Sequence, residues 1–249
     1  MDILSDDELL RYNRQIILPS FDFEGQETLK QSSVLLIGAG GLGCATSPYL
    51  VSAGIGKLTI VDFDHIEVSN LQRQILHTEQ DIGKRKVDSA KESLSALNSL
   101  CQIDTIHAKL SNQQLQALIE QHDLVIDATD NLDTRNQINQ LCFTNRTPLV
   151  SGAAIRLEGQ VISFTYGDDE PCYHCLSSLF GETNLSCVEA GILSPVVGVI
   201  GSMQALEAIR VLTKLGERVS GKLLMLDALN LKWREFKLLK QQSCKICGN

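Results

Sequence analysis

The apolar run Val34-Leu-Leu-Ile37 leads directly into Gly38-Ala-Gly-Gly-Leu-Gly43, and a second apolar run, Lys57-Leu-Thr-Ile-Val-Asp62, follows about one helix length later. Glycines at 38, 40 and 43 have the spacing at which the first permits a tight turn, the second lets backbone approach a phosphate, and the third lets a helix pack on its strand. The N-terminus of the intervening helix favours an anion. Asp62 lies 19 residues after Gly43 at the end of the second strand, where a carboxylate accepts hydrogen bonds from ribose hydroxyls. Such a unit commits the chain to an α/β fold that opens a Rossmann-like, doubly wound and mostly parallel sheet.

The alternation continues downstream. Residues 5 to 18 read as a helix with Ser5 as its cap and Glu8 as the capping-box partner. Beyond Asp62, helical patterns over 84–97, 112–121 and 132–144 alternate with strands at 102–106, 124–127 and 148–150. Around Gly152 the pattern changes, and Gly159 to Tyr166 alternates like a strand of a more antiparallel region. A stretch of about 25 residues, 167–191, reads as a loop of functional or metal-tethering length. A helix over 195–215 and late strands at 222–227 and 232–238 complete the chain. The expectation is one domain over 1–249, with a nucleotide-binding half (1–151) and an extended, zinc-stapled C-terminal half (152–249).

Which nucleotide binds is a question of the surrounding charges. A nicotinamide dehydrogenase needs a hydride-handling site, and nothing downstream of the glycine turn supplies one. Instead Ser69-Asn-Leu-Gln-Arg-Gln74 and Lys84-Arg-Lys86 follow Asp62, and Arg14 sits in Arg11-Tyr-Asn-Arg-Gln15. Bidentate arginine and point-charge lysine suit a triphosphate, although any one of them alone reads as a solvated surface charge.

A formal net charge of −8 argues against wholesale nucleic-acid binding. The N-terminus is acidic and polar, unlike a secretory signal, and the longest uncharged run, Ala190 to Leu206, is too short to span a bilayer. A cytoplasmic protein with no membrane partner is expected. Eight cysteines include two C-x-x-C pairs, Cys172/Cys175 and Cys244/Cys247. Four thiolates in two turns are the ligand set of a closed tetrahedral zinc site, structural because no position is left for a reacting water. A redox pair is the alternative for either motif taken alone. Cys44, Cys101 and Cys142 read as core-filling.

Together, Arg11-Tyr-Asn-Arg-Gln-Ile16, Gly38 to Gly43, Asp62-Phe-Asp64, Ser69 to Arg73, Asp130-Asn131 and the paired C-x-x-C motifs resemble the superfamily of ubiquitin-activating-like (ThiF-type) adenylyltransferases. The resemblance spans about Leu9 to Gly248 and looks closest to the bacterial branch serving molybdenum-cofactor biosynthesis. It implies that the C-terminal carboxylate of a small ubiquitin-like sulfur carrier ending in Gly-Gly attacks the α-phosphate of ATP, giving acyl-adenylate and pyrophosphate. By position, Gly41 lies along the phosphates and Asp62 holds the ribose. The segment Ser69, Asn70, Leu71, Gln72 and Arg73 contributes nucleotide contacts, with Asn70, Arg73 and Lys86 on the phosphates. Asp130 holds Mg²⁺ with Asn131 beside it; without the resemblance, Asp130 also reads as a charge at a helix N-terminus. Arg14 corresponds to the family's arginine that reaches a neighbouring subunit's site, which implies a homodimer. The catalytic set is therefore Arg14, Arg73, Lys86 and Asp130.

Related branches use a cysteine at the place of Cys187 for a thioester or persulfide with the carrier. Here no adjacent cation is visible to lower the pKa of Cys187, and Glu189 would raise it. In the branch resembled most, adenylation alone suffices. The chain ends at Asn249 without room for a fused sulfur-transfer domain, so a separate sulfur donor is expected. The carrier expected is the small subunit of molybdopterin synthase. The alternatives are the same chemistry on the thiamine-pathway carrier and a non-enzymatic ATP-binding scaffold.

Overall fold

The computed structural model describes residues 3–179, 190–217 and 220–248. Cys187 lies outside the described residues, and with it the expectation of a thioester or persulfide there. One eight-stranded sheet runs through the molecule. Its strands are β1 (Ser33–Ile37), β2 (Lys57–Val61), β3 (Gln102–Ile106), β4 (Leu124–Asp127), β5 (Leu149–Ile155), β6 (Glu158–Phe164), β7 (Lys222–Asp227) and β8 (Lys232–Lys237). Their order is β3-β2-β1-β4-β5-β6-β7-β8. The first five are parallel and the last three antiparallel to their neighbours, as the change of pattern near Gly152 leads one to expect.

β1 has β2 on one side and β4 on the other, so the chain's winding direction reverses beside it. Open α/β sheets bind ligands at the carboxyl ends of strands flanking such a reversal. Parallel strands buried on both faces require continuous apolar sequence, and Val34, Leu35, Leu36, Leu124, Val125 and Ile126 are all buried.

The helices are α1 (Asp6–Ile16), α2 (Asp22–Gln31), α3 (Gly41–Ala53), α4 (Lys86–Leu97), α5 (Asn112–Ile119), α6 (Leu132–Asn145), α7 (Tyr173–Ser177) and α8 (Ser194–Thr213). α1 begins with the expected capping box, Ser5 Oγ accepting from the Glu8 amide and Glu8 Oε2 from the Ser5 amide at 3.0 Å. α2 has no counterpart in the sequence reading. Its N-cap, Phe21, makes no side-chain cap bond, Gly25 interrupts it, and only Gly25, Gln26 and Leu29 are buried.

α8 is long and apolar enough to cross a membrane by length and composition alone, because apolar residues continue past its two charges, Glu207 and Arg210. In the fold it is a core helix. A Cβ on Gly201 would fall 2.6 Å from Ala45 Cβ and 2.7 Å from the Leu42 carbonyl, so glycine lets α8 lie directly on α3. Thr46 Oγ1 donates to the Gly201 carbonyl across that contact at 3.0 Å. β5 extends five residues past Val150, its low-propensity Gly152-Ala-Ala154 held by antiparallel pairing to β6.

Candidate active site

The glycine turn is folded as its spacing requires. Gly38 has φ +102°, and its amide donates to the Val61 carbonyl at 2.9 Å. A Cβ on Gly43 would lie 2.0 Å from the Gly38 carbonyl oxygen, so α3 can only start here over a glycine. Gly40 caps α3 without a side-chain bond, which leaves the helix's first amides for a ligand.

The turn forms one wall of a cavity of about 760 Å³ at the carboxyl ends of β1, β2 and β4. That volume lies within the range of small-molecule and cofactor sites, roughly 300–1,000 Å³. Asp62 lines it, and its two oxygens accept from the amides of Ala39 at 2.7 Å and Asp64 at 2.8 Å. The carboxylate thus fixes the turn while keeping lone pairs for a hydroxyl donor.

Beside the turn, Asn70 and Arg73 also line the cavity. Val68–Asn70 is a single 3-10 turn. Asn70 Oδ1 accepts from the Glu67 amide at 3.1 Å, and Arg73 Nη1 donates to the Ser69 carbonyl at 3.1 Å. The tight turn separates neighbours in sequence: Ser69, Leu71 and Gln72 lie on the same segment but do not line the cavity. Lys86, at the first position of α4, is buried and lines it, with Nζ 2.7 Å from Asp64 Oδ2.

The loop after β4 supplies Asp130 and Asn131. Asp130 presents an exposed carboxylate on the cavity wall. Asn131 caps α6, its Oδ1 accepting from the Thr134 amide at 2.9 Å. Arg14 stands exposed in the last turn of α1 and is not part of the wall. The backbone of Gly41 is part of it, beside Arg73.

Several residues of the site escaped the sequence reading. Arg135, buried within α6, donates from Nη2 to the carbonyls of Thr129 and, at 2.9 Å, of Gly152, and its Nη1 lies 3.8 Å from Asp127 Oδ2. Asp127, buried at the end of β4, accepts from the Thr129 amide and hydroxyl and from Ser151 Oγ at 2.8 Å. This network fixes the loop that carries Asp130. Gln74 is a buried residue of the wall whose Oε1 has no hydrogen-bond partner among the described residues. A carboxylate closing an apolar strand was the one available signal for Asp127. The partners of Arg135 depend on the fold of the loop between β4 and α6 and on the neighbouring strand β5, which the sequence does not display.

Cys172, Cys175, Cys244 and Cys247 converge, all four buried and with their sulfurs within 4.8 Å of one another. Cys172 and Cys244 Sγ are 3.7 Å apart, and Cys175 and Cys247 Sγ 3.3 Å. Tetrahedral zinc with Zn–S near ~2.3 Å requires S···S separations of about 3.8 Å, so the set fits a metal. The cluster ties the tail to α7, where Gln241 Nε2 donates to the Cys175 carbonyl at 3.1 Å. Tyr173, between the first two cysteines, lines the nucleotide-sized cavity, so the cysteine cluster abuts it. Cys44 and Cys142 are fully buried and Cys101 nearly so, as core-filling residues should be.

Known proteins resemble this chain in sequence and in fold. The chain is 56% identical over 98% of its length to the molybdopterin-synthase adenylyltransferase of Escherichia coli (strain K12), covering 98% of that protein. It is 44% identical to the adenylyltransferase and sulfurtransferase MOCS3 of Anopheles gambiae, over 98% of this chain and 56% of that one. Among solved structures, E. coli MccB with succinimide shares the fold at TM-score 0.84 and 24% identity, covering 99% of this chain and 75% of that one. The ThiF family matches residues 12–247, and with a glycine turn, charged cavity and four-cysteine centre in place, the chain belongs to that family.

Proposed function

We propose that this chain is an adenylyltransferase that uses ATP to activate the C-terminal glycine of a small ubiquitin-like sulfur carrier, the molybdopterin-synthase small subunit, in molybdenum-cofactor biosynthesis. The observation that carries the reading is the cavity in which the uncapped start of α3, Asp62, Asn70, Arg73, Lys86 and Asp130 face one volume. The high identity to an E. coli protein named for this activity supports it.

The chemistry asks for no activated side chain. The carrier's own carboxylate oxygen attacks the α-phosphorus, the bond from that phosphorus to the bridging oxygen breaks, and pyrophosphate leaves. Catalysis is then positioning and charge stabilisation. The amides at the start of α3, Asn70, Arg73 and Lys86 hold the phosphates in line, and Asp62 anchors the ribose. Asp130 would hold Mg²⁺, with Asn131 beside it fixing the loop; the ion supplies charge to the leaving pyrophosphate. Arg14 acts on the site of a partner subunit in a homodimer. The four cysteines hold a structural Zn²⁺ that anchors the carrier-binding half, 152–249, to the nucleotide-binding half, 1–151. The enzyme works in the cytoplasm, and a separate donor supplies the sulfur.

The test is ATP–pyrophosphate exchange with purified carriers. Exchange is expected with the intact molybdopterin-synthase small subunit and is expected to vanish when its last glycine is removed. Faster exchange with the thiamine-pathway carrier would reassign the substrate. ATP binding without exchange on any Gly-Gly carrier would leave a scaffold and overturn the enzymatic reading.

A further inference from the structure

Behind the cavity wall, one buried imidazole touches the elements that carry the proposed phosphate contacts. His77 lies at the end of the segment bearing Asn70 and Arg73, and its amide donates to the Gln74 carbonyl at 3.1 Å. Its Nδ1 is 2.9 Å from Ser89 Oγ on α4, one turn beyond Lys86. Its Nε2 is 3.6 Å from Cys44 Sγ on α3, one turn beyond Gly41. Cys44 Sγ in turn donates to the Ala39 carbonyl at 3.4 Å, and the Ala39 amide is the group that Asp62 holds at 2.7 Å.

We infer that His77 is a positioning residue that sets the glycine turn, the Asn70–Arg73 segment and Lys86 at fixed separations for the triphosphate. The inference rests on the adenylyl-transfer reading and names a residue outside the cavity wall on which that site depends. With the Cys44 thiol donating to the Ala39 carbonyl, its sulfur is left to accept from Nε2–H, and Nδ1 of that tautomer accepts from the Ser89 hydroxyl. Burial pushes the Cys44 thiol up to about 12, so it remains a donor at neutral pH. Burial likewise holds His77 below its ordinary value, which keeps the ring neutral and able to accept from Ser89 while donating to Cys44.

A second tether supports the arrangement, since Ser93 Oγ on α4 donates to the Leu76 carbonyl at 2.9 Å. Misplacement of reacting groups by about 1 Å can cost about 10²-fold in rate, so a joint of this kind matters to chemistry without touching substrate.

The full-length chain and its His77→Ala, His77→Gln, Ser89→Ala and Cys44→Ala variants are titrated with ATP and with adenosine, and pyrophosphate exchange is measured in parallel. His77→Ala is expected to weaken ATP binding by about 10-fold while adenosine affinity stays within about twofold, and to lower kcat with little change in KM for the carrier. His77→Gln, which retains an amide donor and acceptor, should recover part of the loss. Ser89→Ala and Cys44→Ala should each give a smaller loss that does not add to that of His77→Ala. An ATP-to-adenosine affinity ratio equal to wild type in the folded variants, or equal weakening of both ligands, overturns the inference. Should His77→Ala fail to fold, His77→Gln and Ser89→Ala decide it by the same ratio. Wild-type silence in exchange would remove the proposed reaction, while the binding ratio would still judge His77.

Discussion

Lys86 and Asp64 form an ion pair of 2.7 Å in which the lysine side chain is only 7% exposed and the aspartate 48%. The pair is built into the backbone as well, because the Lys86 amide donates to the Asp64 carbonyl at 3.1 Å and the Ile66 amide to the Lys84 carbonyl at 2.9 Å. Asp64 thus holds the ammonium on the cavity wall before any phosphate arrives. Its exposed position leaves the partner free to turn to solvent when a stronger anion takes over.

Removing this charge should be felt in the chemistry. Lys86→Ala is expected to lower pyrophosphate exchange by about 10²–10³-fold, the range for losing one preorganised donor aimed at developing charge. Lys86→Arg should rescue little, since the buried site is shaped for a point charge rather than a planar fork. ATP–pyrophosphate exchange at saturating ATP measures both. An arginine variant as active as wild type would remove the requirement for a compact ammonium.

Arg14 stands exposed at the end of α1, away from the cavity of its own chain. On the proposal that it acts across a homodimer, it should behave as an arginine finger. Arg14→Ala is then expected to lower the exchange rate by about 10³-fold or more. Mixed dimers of Arg14→Ala and Lys86→Ala subunits should regain activity, because one of their two sites combines an intact Lys86 with the partner's intact arginine. Mixed dimers as inactive as either parent would place Arg14 outside the reaction.

How much of this was legible in the sequence depended on how local each determinant is. The glycine turn, Asp62, the Ser5–Glu8 cap and the two C-x-x-C pairs are set within a few residues of themselves, and each could be read directly. Gly43 could be placed because only the Gly38 carbonyl, five residues back, excludes its Cβ. Arg135 could not, because its bonds back to Thr129 and Asp127 depend on how the loop before α6 turns, and its bond to Gly152 on the pairing of β4 with β5. Nor could the residues of 69–73 that face the cavity be sorted, since the 3-10 turn at Val68–Asn70 decides which side each takes. The Gly152-Ala-Ala154 end of β5 is a strand by virtue of its partner β6, not of its composition.

The four-cysteine cluster predicts a chain that carries close to one zinc per subunit by elemental analysis. Structural zinc contributes about 10–16 kcal/mol in small peptides, comparable with the ~5–15 kcal/mol stability of whole domains. Cys244→Ser should therefore lose most of the metal and lower Tm sharply, and strong chelation of the wild type should release the tail to limited proteolysis. The tail's contacts to α7, such as Gln241 to the Cys175 carbonyl, should be the first to open. A metal-free preparation with wild-type Tm would leave the cysteines without a structural ion.

Acid should destabilise the fold through His122, a site remote from the cavity. Its Nδ1 donates to the Leu118 carbonyl at 2.6 Å and its Nε2 accepts from Thr59 Oγ1 at 2.8 Å, which joins the end of α5 to β2. Burial lowers its pKa most, Lys57 adds to that, and the Leu118 carbonyl, Asp123 and Asp104 oppose it without reversing the direction. A histidine whose folded-state pKa lies below its unfolded value binds fewer protons when folded. Its stabilisation is complete above the unfolded value, near ~6.5, and declines as pH falls towards the folded one. Tm should accordingly fall between neutral pH and mildly acid pH. His122→Asn, which cannot titrate, should show a shallower slope across the same window with a lower Tm at neutral pH. His77, also buried with a lowered pKa, adds a slope of the same sign, so the two are separated by comparing His122→Asn with His77→Gln. Equal slopes for wild type and His122→Asn would remove this residue from the pH dependence.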